Sequence, residues 1–87
     1  MIFDVETDER SAFARPFDVC VIGSGPAGIT LARRLAGRGL DVALMEGGGL
    51  EWSEESQAVY AGESVGLPSP DLDIARVRCL GGSSGHW

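Results

Sequence analysis

The chain has 87 residues and a mass of 9.1 kDa, which is one small domain or part of one. Thirteen acidic residues stand against seven basic ones, a net charge of −6, and all seven bases are arginine. Such a chain lacks the basic face that neutralises phosphate backbones, which excludes a general nucleic-acid binder. An apolar content of 44% argues against wholesale disorder. The thirteen glycines follow no collagen period, and eleven of them cluster at 23–28, 37–39, 47–49 and 81–85, as specialised turns do. Two cysteines make neither a disulfide framework nor a metal-ligand spacing. Cys20, in an apolar run, reads as a small buried hydrophobe, and Cys79, beside a glycine pair, as semi-exposed. Apolar runs stay far below the ~20 residues of a membrane helix. Met1 to Arg10 carries Asp4, Glu6, Asp8 and Glu9 without a basic start or an apolar core, so it is not a signal peptide. A cytoplasmic, reducing compartment is the expectation.

In chain order, residues 1–16 read as an acidic, weakly patterned extension and 17–87 as the folded part. Phe17 to Ile22 is short, β-branched and nearly continuous in apolar character, which fits a strand of a parallel sheet buried on both faces. Gly23 stops it. From 26 to 38, Ala27, Leu31 and Leu35 recur at helical spacing, as do Ile29, Ala32 and Ala36. Arg33, Arg34 and Arg38 lie opposite, where they complement the helix dipole. Gly37 and Gly39 end the helix, and Asp41 to Glu46 is a second strand. The fold class is therefore α/β: strand, helix, strand within 30 residues is the βαβ start of a doubly wound, Rossmann-like domain, here incomplete. Gly47-Gly48-Gly49 reads as a flexible break. A short helix over Ser53–Tyr60 is predicted, with Ser53 as its cap and Ser56 where a capping-box acid would sit. Ile74 to Leu80 reads as a short extended segment. The chain closes on Gly81-Gly82-Ser83-Ser84-Gly85-His86-Trp87, an ending that reads as cut rather than finished.

Gly23-Ser24-Gly25-Pro26-Ala27-Gly28 fits the G-x-G-x-x-G fingerprint, and it lies between a strand and a helix inside a βαβ unit, the context that gives the pattern meaning. Gly23 allows the tight turn, Gly25 lets a pyrophosphate approach the backbone, and Gly28 lets helix and strand pack closely. The helix start offers free N–H groups to phosphate, and Pro26 is placed where its missing N–H costs little. Glu46, 18 residues after Gly28, stands where an acid accepts hydrogen bonds from an adenosine ribose. An acid there also disfavours a cofactor with a 2′-phosphate. These features are shared by NAD and FAD proteins alike.

The discriminating segment is Arg76-Val77-Arg78-Cys79-Leu80-Gly81-Gly82-Ser83-Ser84-Gly85-His86-Trp87. Together with Glu46-Gly47-Gly48-Gly49 and the stretch from Ser56-Gln57 to Gly66-Leu67, it resembles the glucose–methanol–choline (GMC) family of FAD-dependent oxidoreductases. The likeness is greatest to the bacterial branch that holds pyranose-oxidase-like and sugar-acid-dehydrogenase-like enzymes. It covers Phe17 to Trp87. It implies that FAD is the cofactor and that an alcohol, sugar or sugar acid is oxidised at a CH–OH group by hydride transfer to flavin N5. Gly47, Gly81 and Gly82 would let backbone approach the cofactor, and Ser83 and Ser84 would supply donors. Arg76 and Arg78 would neutralise the diphosphate; pairing with Asp71 and Asp73 is their other reading. The resemblance places His86 and Trp87 at the flavin ring. In some relatives the histidine at this position is covalently joined to the flavin and in others it is not, and both readings stay open for His86.

In that family the catalytic histidine and its His or Asn partner stand near the C-terminus of a chain several hundred residues long. This chain has one histidine, so the resemblance makes it an N-terminal cofactor half-site with no catalytic residue, inactive alone. Its partners would be FAD and, in the longer protein, a small alcohol or sugar. Two other readings stand beside this one: a nucleotide-binding module without redox activity, and a fragment of an NAD-dependent Rossmann dehydrogenase.

Overall fold

The structure is a computed structural model that describes residues 1–86, and at 12 and 86 only the backbone. Its centre is a two-stranded parallel sheet, β1 (Val19–Ile22) beside β2 (Val42–Met45), joined by helix α1 (Pro26–Gly37). Both strands are shorter than the sequence pattern, yet their ladder runs past its ends. The Asp18 N–H donates to the Asp41 carbonyl at one end (2.9 Å), and the Gly23 N–H donates to that of Met45 at the other (2.8 Å). In the register Val19 pairs with Val42, Cys20 with Ala43, Val21 with Leu44 and Ile22 with Met45. Side chains alternate along a strand, so Val19, Val21, Val42 and Leu44 share the face that α1 covers.

Helix α1 starts on Gly25 without a side-chain cap, with Pro26 in its first turn. It ends in a Schellman arrangement: Gly39 (φ +87°) donates to the Ala36 carbonyl and Leu40 to that of Leu35. The inward stripe is Gly28, Ile29, Ala32 and Leu35; Ala27 and Leu31 point outward, and Leu31 is half exposed.

Two expectations are corrected here. Cys20 is exposed rather than buried, with Ile22 beside it 86% exposed, because nothing among the described residues covers the sheet face opposite α1. The all-apolar strand is thus buried on one face only. Residues 74–80 are not extended throughout: α3 (Leu72–Ala75) takes up the start, and only from Arg76 does the backbone straighten. Asp71 and Asp73 bias this turn toward helix by standing at its N-terminal end.

Ser53 does cap the short helix α2 (Glu54–Gln57), accepting from the Ser56 N–H at 3.1 Å, and a 3-10 turn continues it over Ala58–Tyr60. The N-terminal segment is held locally: a 3-10 turn at Arg10–Ala12, Phe3 packed on Phe13 with ring centroids 5.6 Å apart, and Arg15 in an ion pair with Asp41. Arg15 also lies over the Phe17 ring, 4.2 Å from its centroid. Both partners of the ion pair are exposed, and it contributes little to stability.

Among the described residues the buried hydrophobic side chains are Val21 and Ala32. A two-stranded sheet with so little buried apolar surface does not offset chain entropy by itself. The 87-residue chain studied alone is therefore expected to unfold over a broad temperature range, as followed by circular dichroism at 222 nm. A sharp, cooperative melt of the isolated chain would contradict the burial pattern described here.

Candidate functional site

Gly23 takes φ +101°, which only glycine adopts without strain, and so turns the end of β1 toward α1. Gly28 is needed for a different reason. A Cβ on it would lie 1.8 Å from the Gly23 carbonyl oxygen, a backbone atom that cannot step aside. Gly25 has neither constraint: its backbone is extended (φ −69°, ψ 179°) and a Cβ on it would meet no protein atom within 4 Å. The space beside Gly25 is open.

Between these glycines lies Ser24, fully buried. Its N–H (3.1 Å) and its hydroxyl (2.6 Å) both donate to one oxygen of the Glu46 carboxylate, and the Gly48 N–H donates to the other (2.7 Å). Burial alone would raise the Glu46 pKa. The Ser24 hydroxyl and the N–H groups of Gly48, Ser24 and Gly47 together outweigh burial and hold the pKa below the ordinary glutamate value. A carboxylate has about four acceptor positions. Three hydrogen bonds are formed, two on one oxygen and one on the other, and Glu46 also lines the cleft.

The two glycine-rich ends meet here. The Gly81 N–H reaches the Ser24 carbonyl (2.9 Å) and its hydroxyl oxygen (3.3 Å), and a Cβ on Gly82 would come within 3.2 Å of the Gly25 Cα. Gly47–Gly49 is a docking seam rather than a flexible break. Gly49 pairs with Cys79 in a parallel bridge, the Leu80 N–H donates to the Gly49 carbonyl, and a Cβ on Gly48 would strike the Arg78 carbonyl oxygen at 2.3 Å. A triple glycine suits close backbone contact as well as it suits mobility.

The result is an open cleft of about 420 Å³ lined by Gly23, Ser24, Gly25, Pro26, Glu46, Tyr60, Arg76, Val77, Gly82, Ser83 and Ser84. Most of the predicted site residues converge on it. Arg78 is elsewhere: one guanidinium nitrogen donates to the Ser56 hydroxyl (2.7 Å) and the other lies against Gly47. Arg76, not Arg78, is the cation on the cleft wall, and neither forms an ion pair with Asp71 or Asp73. Tyr60 and Val77 belong to the lining without having been singled out, since a lone aromatic and a lone valine give no sequence signal. The His86 side chain and Trp87 lie outside the described residues.

Residues 18–75, about two thirds of the chain, match the family described as FAD dependent oxidoreductase. The chain belongs to that family. It is also similar to the patulin synthase of Penicillium expansum, 35% identical over 94 residues that cover 78% of this chain and 15% of that protein. Two dehydrogenases, mpl7 of Monascus purpureus and citC of Monascus ruber, are each 33% identical over 88 residues, 80% of this chain and 14% of theirs. The chain thus spans about one seventh of the length of these relatives. No solved structure matches it. Among the described residues no helix is long and apolar enough to cross a membrane.

The depressed Glu46 pKa has a consequence for pH. A lowered carboxyl pKa contributes stability above the unfolded value, about 4.3, which is lost as pH falls through the folded value. In the flavin-free protein, exchange protection of the Ser24 and Gly48 amides, corrected for intrinsic rates, is expected to persist at neutral pH and vanish at acidic pH. Ser24→Ala removes the leading contact that lowers the pKa, so the loss should move to higher pH. An unmoved midpoint would show that the hydroxyl does not hold the carboxylate.

Proposed function

We propose that this chain is the N-terminal nucleotide-binding part of a GMC-type flavoenzyme that oxidises a CH–OH group. Its cleft would receive the diphosphate of FAD over Gly23–Gly28 and the adenosine ribose at Glu46. The observation that carries the reading is Gly25. Nothing in the protein requires glycine there, whereas a phosphate lying on that backbone does. The uncapped start of α1, with no acid in its first turn, supports the same placement.

When bound, the flavin would accept a hydride equivalent from the substrate carbon. The residues of this chain bind and orient. Glu46 fixes the ribose end from the cleft wall, and the N–H groups at the start of α1 face the phosphates. Ser83, Ser84 and Arg76 close the opposite wall with donors and charge. The second glycine segment would bring His86 and Trp87 to the ring, with His86 either bonded to it or packed against it. The base that takes the hydroxyl proton belongs to the rest of a longer protein, so residues 17–87 alone would be a cofactor half-site. The substrate would be an alcohol, sugar or sugar acid. The names of the relatives support the redox class, and the free Cys20 and Cys79 support a reducing, cytoplasmic setting.

Gly25→Val separates binding from folding. The backbone accepts valine and the protein leaves space for it, so the melting behaviour of the flavin-stripped full-length protein is expected to hold. Flavin absorbance near 450 nm should fall to the level of the unbound protein. Full flavin occupancy in that variant would rule out the placement of the diphosphate.

A further inference from the structure

Gln57 is the buried polar side chain that the cleft does not use. It sits at the end of α2 and makes four hydrogen bonds, all to other segments or to the α2 entry. Its amide nitrogen donates to the carbonyls of Asp73 (2.7 Å) and Arg76. Its amide oxygen accepts from the Arg78 N–H (3.0 Å) and from the Trp52 indole N–H (3.2 Å). These partners fix which end of the amide is which, because carbonyls need a donor and N–H groups an acceptor.

The bonds to Arg76 and Arg78 have a particular geometry. In extended chain the carbonyl of one residue and the N–H two positions on point to the same side, while the residue between them points its own N–H to the other. Gln57 takes the first pair. The Val77 N–H, on the far side, donates to the Ser83 hydroxyl (3.2 Å), inside the second glycine segment. A side-chain amide thus replaces a neighbouring strand, and the 76–78 segment connects it to the wall of the cleft.

We propose that Gln57 is a positioning residue for the flavin-side wall. By holding residues 76–78 straight, it presents Arg76 and Val77 to the cleft and fixes Ser83 opposite Gly25. The proposal rests on the reading of the cleft as an FAD site. It distinguishes the two walls: Gln57 bonds no residue of the first glycine turn or of β2, and Glu46 takes its own hydrogen bonds from Ser24 and Gly48.

The test compares two ligands on the full-length, flavin-stripped protein. AMP needs only the Glu46 side and the helix start, whereas FAD needs both walls. Gln57→Met keeps the side-chain length and removes the hydrogen bonds. FAD affinity is expected to fall about tenfold or more, equivalent to one or two net hydrogen bonds, while AMP affinity stays within about twofold. A parallel fall for both ligands would reduce Gln57 to a structural role, and unchanged FAD affinity would overturn the proposal. A measurement on the unmutated protein guards against a variant that fails to fold. Exchange of the Arg78 amide, bonded to Gln57, should slow on adding FAD and not on adding AMP; equal rates with both ligands would overturn the proposal as well. Should the unmutated protein bind AMP and no FAD, the failure lies with the FAD reading instead.

Discussion

Ser24 has no exposed surface, and its N–H, hydroxyl and carbonyl must all find partners inside the protein. The Glu46 carboxylate satisfies the two donors and the Gly81 N–H satisfies the carbonyl. Three chain segments far apart in sequence are tied at this one residue: the first turn after β1, the end of β2, and the second glycine segment. A larger side chain at 24 would have no room, and an apolar one would leave the part-buried Glu46 carboxylate short of its shortest bond. The geometry of the cleft follows from this contact, because it sets both where the carboxylate points and how near Gly82 comes to Gly25.

The sheet is asymmetric by comparison. On one face α1 buries Val21 against Ala32, and the close approach at Gly28 sets the spacing. On the other, Ile22 and Met45 stand in register and exposed, continuous with Cys20. Strands of this composition normally belong to sheets covered on both sides. The apolar surface left open is consistent with a chain that spans a small share of its relatives' length.

The βαβ unit, its boundaries to within two residues, the fingerprint turn and Glu46 were legible in the sequence because each depends on local rules. Those are hydrophobic period, glycine placement and the spacing from turn to acid. Features that depend on distant partners were not. Cys20 looked buried because an apolar run does not say how many faces are covered. Gly47–Gly49 looked flexible because glycine marks both freedom and close contact, and only the Arg78 carbonyl above Gly48 distinguishes the two. Gln57 carried no signal beyond belonging to a familiar stretch, since its meaning lies in carbonyls 16 and 19 residues away. Arg76 and Arg78 were indistinguishable as a pair. Extended backbone by itself would put both on one face; the hydroxyl of Ser56 separates them by drawing Arg78 toward Gly47.

The proposed diphosphate site, in a protein this acidic, sets an electrostatic problem that has to be solved locally. The acids of this chain concentrate before residue 10 and between 51 and 73, whereas among the described residues the cleft wall holds one acid, Glu46, and one arginine, Arg76. Exposed charges more than about 8 Å apart are largely screened at physiological salt, so the overall −6 weighs less than the immediate surroundings. Those surroundings favour an anion. The first turn of α1 carries no acid and no side-chain cap, so its N–H groups are not already paired with a carboxylate. Glu46 accepts from Ser24 twice and from Gly48 once, and the bonds that hold its pKa down also spread its charge over these donors. On the proposed reading, the carboxylate that would recognise a ribose is thereby kept ionised beside the phosphates. That explains why the serine between the first two glycines is buried against the acid rather than turned toward the ligand.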